Sequence, residues 1–282
     1  MLALGAATLV GCSLFIDTSG FDSGDTTSPD AELESGGESS APDGGSIDDA
    51  RIDAPPPADV LVDGPFDASV CPPPPNDPSL KGWYLFDEGS GTTIIDCSSH
   101  ARHGVQADGT WTTGKKGGAL AFNGTSSCVT LPAGLQLLTG FTIIAWVNPM
   151  SFAHSTGISR HIAAKTGSED RGWSFKVDAP PHYELSLGTG STRVDLSTAN
   201  GQAANVWTHV AAVYLPGTRF EIWLNGALTI SSADSPASFT DDPSATPRIG
   251  CSDGTNFFEG SIDEVRIYDR ALSASEIPPL AQ

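Results

Sequence analysis

The chain has 282 residues and a formal net charge of −20, with 34 acidic side chains against 14 basic ones. That balance excludes electrostatic capture of nucleic acid or an anionic lipid surface, since both need a basic face. No run of about 20 apolar residues occurs, so no helix of this sequence can cross a bilayer. The absence of CxxC, HExxH, P-loop and GxSxG patterns removes the commonest redox, metalloprotease, nucleotide-binding and serine-hydrolase signatures.

Residues 1–12 are apolar and end in small residues before Cys12, the way a secretory signal ends. The run Leu9-Val10-Gly11-Cys12 resembles a bacterial lipobox. The resemblance implies cleavage before Cys12 and lipid on its sulfur and new amino terminus, a membrane contact made through the anchor alone. Residues 13–79 hold 15 acidic residues, one basic residue (Arg51) and eleven prolines. Their apolar residues follow no period, so burial cannot offset an ordering entropy of roughly 1–2 kcal/mol per residue. A disordered acidic tether is expected, with a root-mean-square span on the order of 45 Å.

Residues 80–282 contain all six tryptophans and read as strand, turn, strand throughout. Strand-like runs are Gly82–Phe86, Thr92–Cys97, Ala119–Phe122, Cys128–Leu131, Phe141–Val147, His161–Lys165, Trp173–Val177 and Tyr183–Leu187. Val206–Leu215, Arg219–Asn225, Ala227–Ile230 and Phe257–Tyr268 follow. Val206–Leu215 is apolar on both faces, as a central strand covered on two sides would be. Asn225-Gly226 between two such runs signals a hairpin. Ser273–Ile277 reads as a helix capped by Ser273, with Glu276 three residues on and Pro278-Pro279 stopping it. About a dozen short strands in one domain predict an all-β fold, a two-sheet antiparallel sandwich of the jelly-roll kind.

Five segments in order then carry a resemblance: WYLFDEGSGT from Trp83, ALAFNGT from Ala119, FTIIAWV from Phe141, the pair WTHVAAVY and FEIWLNG from Trp207 and Phe220, and GSIDEVRIYDRAL from Gly260. Together they resemble the LamG-like jelly-roll family of the concanavalin A-like lectin/glucanase superfamily, over about residues 80–280. The resemblance implies that Trp146, Trp207 and Trp223 are core residues. It also implies a structural calcium ion between the first and last strands, with Asp263 as the matching aspartate and Asp87, Asn123 and Gly124 bringing further oxygens. Calcium takes six to eight such oxygens.

Glucanases of that superfamily carry an ExDxE strand, and retaining hydrolysis needs two carboxyls about 5–5.5 Å apart. No ExDxE occurs here. The nearest acidic cluster is Glu259, Asp263 and Glu264, and Asp241-Asp242 reads as a solvated loop pair. Non-catalytic carbohydrate binding is therefore expected. An aromatic platform ringed by amides and carboxylates would carry it, with Trp111, Trp173, His182, Tyr183, Asp253 and Asn256 as candidates. The alternative is an adhesive or structural module that binds a surface protein.

If Cys12 is lipidated, four cysteines remain: Cys71, Cys97, Cys128 and Cys251. An even number in an exported chain predicts two disulfides with three possible pairings. The positions of Cys97 and Cys128 in early strands favour pairing them, which leaves Cys71 to Cys251.

Overall fold

The computed structural model describes residues 71–152, 159–168, 170–200 and 202–282. The signal segment, Cys12 and the tether up to residue 70 lie outside the described residues, as does His154. Among the described residues sixteen strands, β1 to β16 along the chain, form two antiparallel sheets.

The first sheet runs β14 (Ala227–Ser232), β13 (Arg219–Leu224), β12 (Thr208–Leu215), β7 (Phe141–Pro149), β16 (Glu259–Tyr268), β5 (Gly118–Asn123) and β4 (Thr110–Thr113). β1 (Leu80–Tyr84) pairs with the second half of β16, so the first and last strands of the fold are neighbours. The second sheet runs β11 (Arg193–Ser197), β10 (His182–Gly188), β9 (Trp173–Asp178), β8 (Arg160–Lys165), β15 (Arg248–Ile249), β6 (Cys128–Thr130), β3 (Gly104–Ala107) and β2 (Thr93–Ile94).

Alternation decides what each strand buries. Phe141, Ile143, Ala145 and Val147 of β7 join Val210, Ala212 and Tyr214 of β12 and Phe220 and Ile222 of β13 in the core between the sheets. Trp173, Phe175 and Val177 of β9 meet them from the second sheet. Each such side chain contributes roughly 1.5–3 kcal/mol by leaving water. The opposite faces of β7, β12 and β13 carry Ile144, Ala211, Val213 and Trp223 into a second cluster. Leu80, Leu272 and Ile277 pack in that cluster, so segments from the two ends of the fold cover the outer face of the first sheet. β12 thus has apolar neighbours on both faces, as its sequence requires. Trp146 and Trp223 are buried, while Trp207 is only half-buried and precedes the strand instead of opening it.

The Asn225-Gly226 turn connects β13 to β14 with positive φ at both residues, 50° and 78°. That is the backbone twist a two-residue hairpin asks for. The carboxy-terminal helix α1 is Ile277–Leu280, shorter and later than the sequence predicts. The Glu276 carboxylate accepts the Ser273 amide at 2.7 Å, so half of the expected capping contact forms. Pro278 and Pro279 sit in the first helical turn, where a missing amide costs nothing, so they start the helix instead of ending it.

The disulfides are Cys71–Cys97 and Cys128–Cys251, not the pairing favoured from the sequence. The second sheet explains this. β6 pairs with β15, which places Cys128 and Cys251 at the ends of neighbouring strands. Cys71 instead lies against the outer cluster beside Cys97. Asp77 pairs with Arg270 at 2.6 Å and Cys71 is bonded to Cys97, so residues 71–79, read from the sequence as tether, contact the fold that follows them.

Candidate functional site

The inward residues of β8 to β10 are apolar, which leaves their alternate positions facing out of the second sheet. On β9 these are Ser174 and Lys176; on β10 they are Glu184 and Ser186. Register places Ser174 opposite Ser186 and Lys176 opposite both Glu184 and His161. Two loops wall this face. One covers residues 166–168 and 170–172, tied by Gly167 N donating to Asp242 Oδ2 at 3.0 Å. The other is Ser252–Asn256, closed by Ser252 N donating to Thr255 O at 3.0 Å and joined at its base to the Cys128–Cys251 disulfide. Between them lies an open cleft of about 200 Å³.

Its floor is a buried polar network. The Lys176 ammonium lies 2.9 Å from Glu184 Oε1. Glu184 also accepts from Ser186 Oγ at 3.1 Å and Ser197 Oγ at 2.8 Å. Burial opposes ionisation of Glu184, but Lys176 and the two hydroxyls outweigh it and hold the carboxyl below its ordinary value. A carboxylate so held is a poor proton donor. His161 is 5% exposed and its Nδ1 has no partner. Burial, then the Lys176 charge, pushes its pKa down to about 3, so the ring is neutral at any ordinary pH. Arg171 and Arg193 also line the cleft, with Asp253 as its one lining carboxylate.

Of the sequence candidates, Asp253 and Asn256 stand on the cleft wall, and Trp173 reaches it. Trp173 is 2% exposed, however, and belongs to the core, as does Tyr183. Neither offers a face for stacking, because both fall on the inward parity of their strands. His182 lies 3.4 Å from Glu184 but outside the cleft lining. Trp111 sits on β4, in the other sheet, with its indole donating to Gly91 O at 3.2 Å. The expected aromatic platform therefore does not assemble from these residues. His161, Ser174, Lys176, Ser186, Arg171 and Arg193 were missed. The signal for four of them was present: polar residues at alternate positions of otherwise apolar runs mark one solvent-facing surface.

A second feature lies where β16 meets the turn before β5. A bulge in β16 between Asp263 and Arg266, with Glu264 at φ 52°, turns Asp263 under residues 114–118. Asp263 Oδ2 accepts the Lys116 amide at 2.9 Å, while Oδ1 is buried without a partner. Burial pushes this carboxyl up to about 7, and the charges of Glu264 and Asp87 add to the rise. Asp87 Oδ1 accepts the Gly118 amide at 2.5 Å. Cβ atoms added at Gly114, Gly117 and Gly118 would collide with Gly118 O, Asp87 Oδ1 and Phe86 O respectively. Two carboxylates and nearby carbonyl oxygens lie along one glycine-lined turn, oxygens of the kind a hard cation takes, while no group of three His, Cys, Asp or Glu side chains gathers to hold a metal among the described residues. Asp263 pairs with neither neighbouring arginine: Arg266 takes Glu264 at 2.7 Å and Arg270 takes Asp77 and Glu276.

Asn123 and Gly124 do not join this turn. They lie at the far end of β5, opposite Glu259. Asn123 Oδ1 already accepts from the amides of Thr125, Ser126 and Ser127, so its oxygen is spent on its own turn. The other acidic residues are engaged as well. Glu259 pairs with Arg160 at 2.7 Å and Asp241 with Lys165 at 2.6 Å. Asp242, 5% exposed, holds its own loop. The Asp241-Asp242 pair is therefore not the solvated element the sequence suggests.

A laminin G family model, described as concanavalin A-like lectin/glucanases superfamily, matches residues 123–278. The chain belongs to that superfamily. Among solved structures it is similar to domain 4 of AbnA, an extracellular arabinanase of family GH43 from Geobacillus stearothermophilus, solved with arabinotriose. That match has a TM-score of 0.59 and 23% identity, over 72% of this chain and 98% of the other. The binding domain of Paraclostridial Mosquitocidal Protein 1 gives 0.59 and 17% identity, over 72% of this chain and 52% of that one. A botulinum neurotoxin DC binding domain in complex with SialylT gives 0.56 and 13%, over 72% and 51%. By sequence the chain is 31% identical over 153 residues to adhesion G-protein coupled receptor V1 of Danio rerio, of which it spans only 2%. These structural likenesses speak for the fold.

Proposed function

We propose that the folded part of this superfamily member is a non-catalytic carbohydrate-binding module. The observation that carries the reading is the cleft on the second sheet. It is polar, walled by two loops, and floored by groups that can donate to and accept from sugar hydroxyls. Its one lining carboxylate, Asp253, has no acidic partner there, because Glu184 lies off the lining and is consumed by Lys176 and two serines. The arabinotriose complex of the similar arabinanase domain supports the same class of ligand. The similarity to an adhesion receptor supports a second reading, docking of a surface protein.

The acid turn completes the proposal. Asp263 and Asp87, with neighbouring carbonyls, would hold a structural calcium ion that joins β16 to the segment after β1. The ion supplies charge neutralisation and takes no part in chemistry. Export and lipidation at Cys12 extend the reading: the acidic segment then carries the module away from a membrane. Replacing Cys12 by Ser should release the exported protein from the membrane fraction, and continued fractionation with membrane refutes the anchor.

The test is binding of the full chain to a polysaccharide panel with calcium present, with reducing-sugar release measured in parallel. Saturable binding without sugar release, lost in Thr255→Trp because the indole covers the cleft, is the expected result. Sugar release would make the module an enzyme. Binding unaffected by Thr255→Trp would move the site elsewhere.

A further inference from the structure

The cleft lining carries more cationic than anionic side chains. Three of its lining side chains are cationic (Arg171, Lys176 and Arg193) against one carboxylate, Asp253, on a chain of net charge −20. Lys176 is engaged by Glu184, and Arg193 lies 2.8 Å from Asp195. Arg171 differs. It is exposed at the cleft wall, and its guanidinium has no ion-pair partner among the described residues. Asp253 reaches only toward Arg248, at 3.7 Å.

The uncharged groups add hydrogen-bonding capacity and nothing to stack on. His161 is on the lining, but its partnerless Nδ1 is closed to solvent and is not offered to a ligand. The Ser174 hydroxyl has no hydrogen-bond partner among the described residues, and Asn256 on the wall donates to Ser252 Oγ at 3.2 Å, which leaves its amide oxygen to accept. Trp173 shows no ring face. A neutral sugar would therefore lack the aromatic contact that supplies much of the affinity in an apolar-faced site. A ligand with an acidic group would gain charge-assisted hydrogen bonds, about twice as strong as neutral ones, and a planar fork suited to carboxylate or sulfate.

We propose that the cleft takes an anionic sugar residue. Arg171 receives the carboxylate or sulfate, while the Ser174 hydroxyl and the Asn256 side chain, both on the cleft lining, receive hydroxyls. This deepens the carbohydrate reading above and rests on it. The unpaired charge of Arg171 has a clear physical task, because the acidic remainder of the chain repels polyanions.

The experiment titrates the purified full chain with polygalacturonate, dextran sulfate and neutral arabinan, each at low and high salt. At least one polyanion should bind more tightly than arabinan, and its affinity should fall as salt screens the charges. Which polyanion binds distinguishes carboxylate from sulfate. Arg171→Gln should weaken that binding by about tenfold, and Arg171→Lys should recover part of the loss. Arabinan bound as tightly as the polyanions overturns the anionic preference and leaves the carbohydrate reading standing. Polyanion binding indifferent to Arg171→Gln also overturns it. Silence with all three polymers defeats both readings for these ligand classes.

Discussion

Asp263 concentrates the chemistry of the first sheet in one side chain. Its carboxyl titrates near 7 when the turn holds only protein atoms, because it is buried with one oxygen unpartnered beside two other acids. A carboxyl raised in the folded state favours folding at acid pH, and that contribution is lost as pH rises from about 4 through 7. In metal-free buffer, Asp263→Asn should therefore come close to the parent at about pH 4 and exceed its melting temperature clearly at about pH 8. Calcium should reverse the order, raising the parent's melting temperature and leaving the variant's unchanged. Thermal melts at the two pH values, with EDTA and with calcium, decide this; a parent indifferent to calcium removes the site. His161 gives a second test at this scale. With its pKa near 3, it does not titrate between pH 5 and 8, so ligand affinity should be flat over that window. A loss of affinity below pH 6.5 would mean that the imidazole takes up a proton there. These two residues were unequally legible. Asp263 sits in a recognisable segment, whereas His161 has no motif. Its role comes from a register that pairs it with Lys176, and pairing partners are not written in local sequence.

Among the strands, legibility followed burial. β7, β12 and β13 could be read residue by residue because the core imposes strict alternation on them. β4 and β11 could not, because TWTT and RVDLS form mostly exposed edge strands where the core selects few side chains. β3 and β15 are too short to show a period. The site depends on the β9–β10 pair, and its central contact is the buried Lys176–Glu184 bridge. Lys176→Met leaves the Glu184 carboxylate without its ammonium and should cost about 3 kcal/mol, the usual loss when one partner of a buried pair is removed. Lys176→Met combined with Glu184→Leu should recover most of that stability, because two apolar groups leave no uncompensated charge. Chemical denaturation of the single and double variants measures the coupling. A double variant no more stable than the single one would show that the hydroxyls of Ser186 and Ser197, not the charge pair, organise the floor.

At the scale of the whole molecule, two disulfides constrain very different lengths of chain. Cys71–Cys97 spans 26 residues and Cys128–Cys251 spans 123. Loop-closure entropy alone makes the first worth about 3.5 kcal/mol and the second about 5 kcal/mol. Their positions separate stability from binding more sharply than these energies do. Cys71–Cys97 packs with the outer cluster of the first sheet, and the strand just before Cys97, β2, is at the opposite edge of the second sheet from β9 and β10. Cys251 directly precedes the Ser252–Asn256 wall, whose Asn256 carbonyl accepts the His161 amide at 3.1 Å. Replacing Cys71 and Cys97 by Ala should therefore lower the melting temperature and leave the affinity of the folded protein unchanged. Replacing Cys128 and Cys251 by Ala should lower the melting temperature further and weaken ligand binding, because the wall loses its covalent base. Melts and binding isotherms on the two double variants, both measured well below their transitions, give the comparison. Equal affinities in the two would mean that the strand pairing of β15 with β6 and β8 holds the wall unaided. A loss confined to the Cys71–Cys97 variant would place the binding surface on the first sheet.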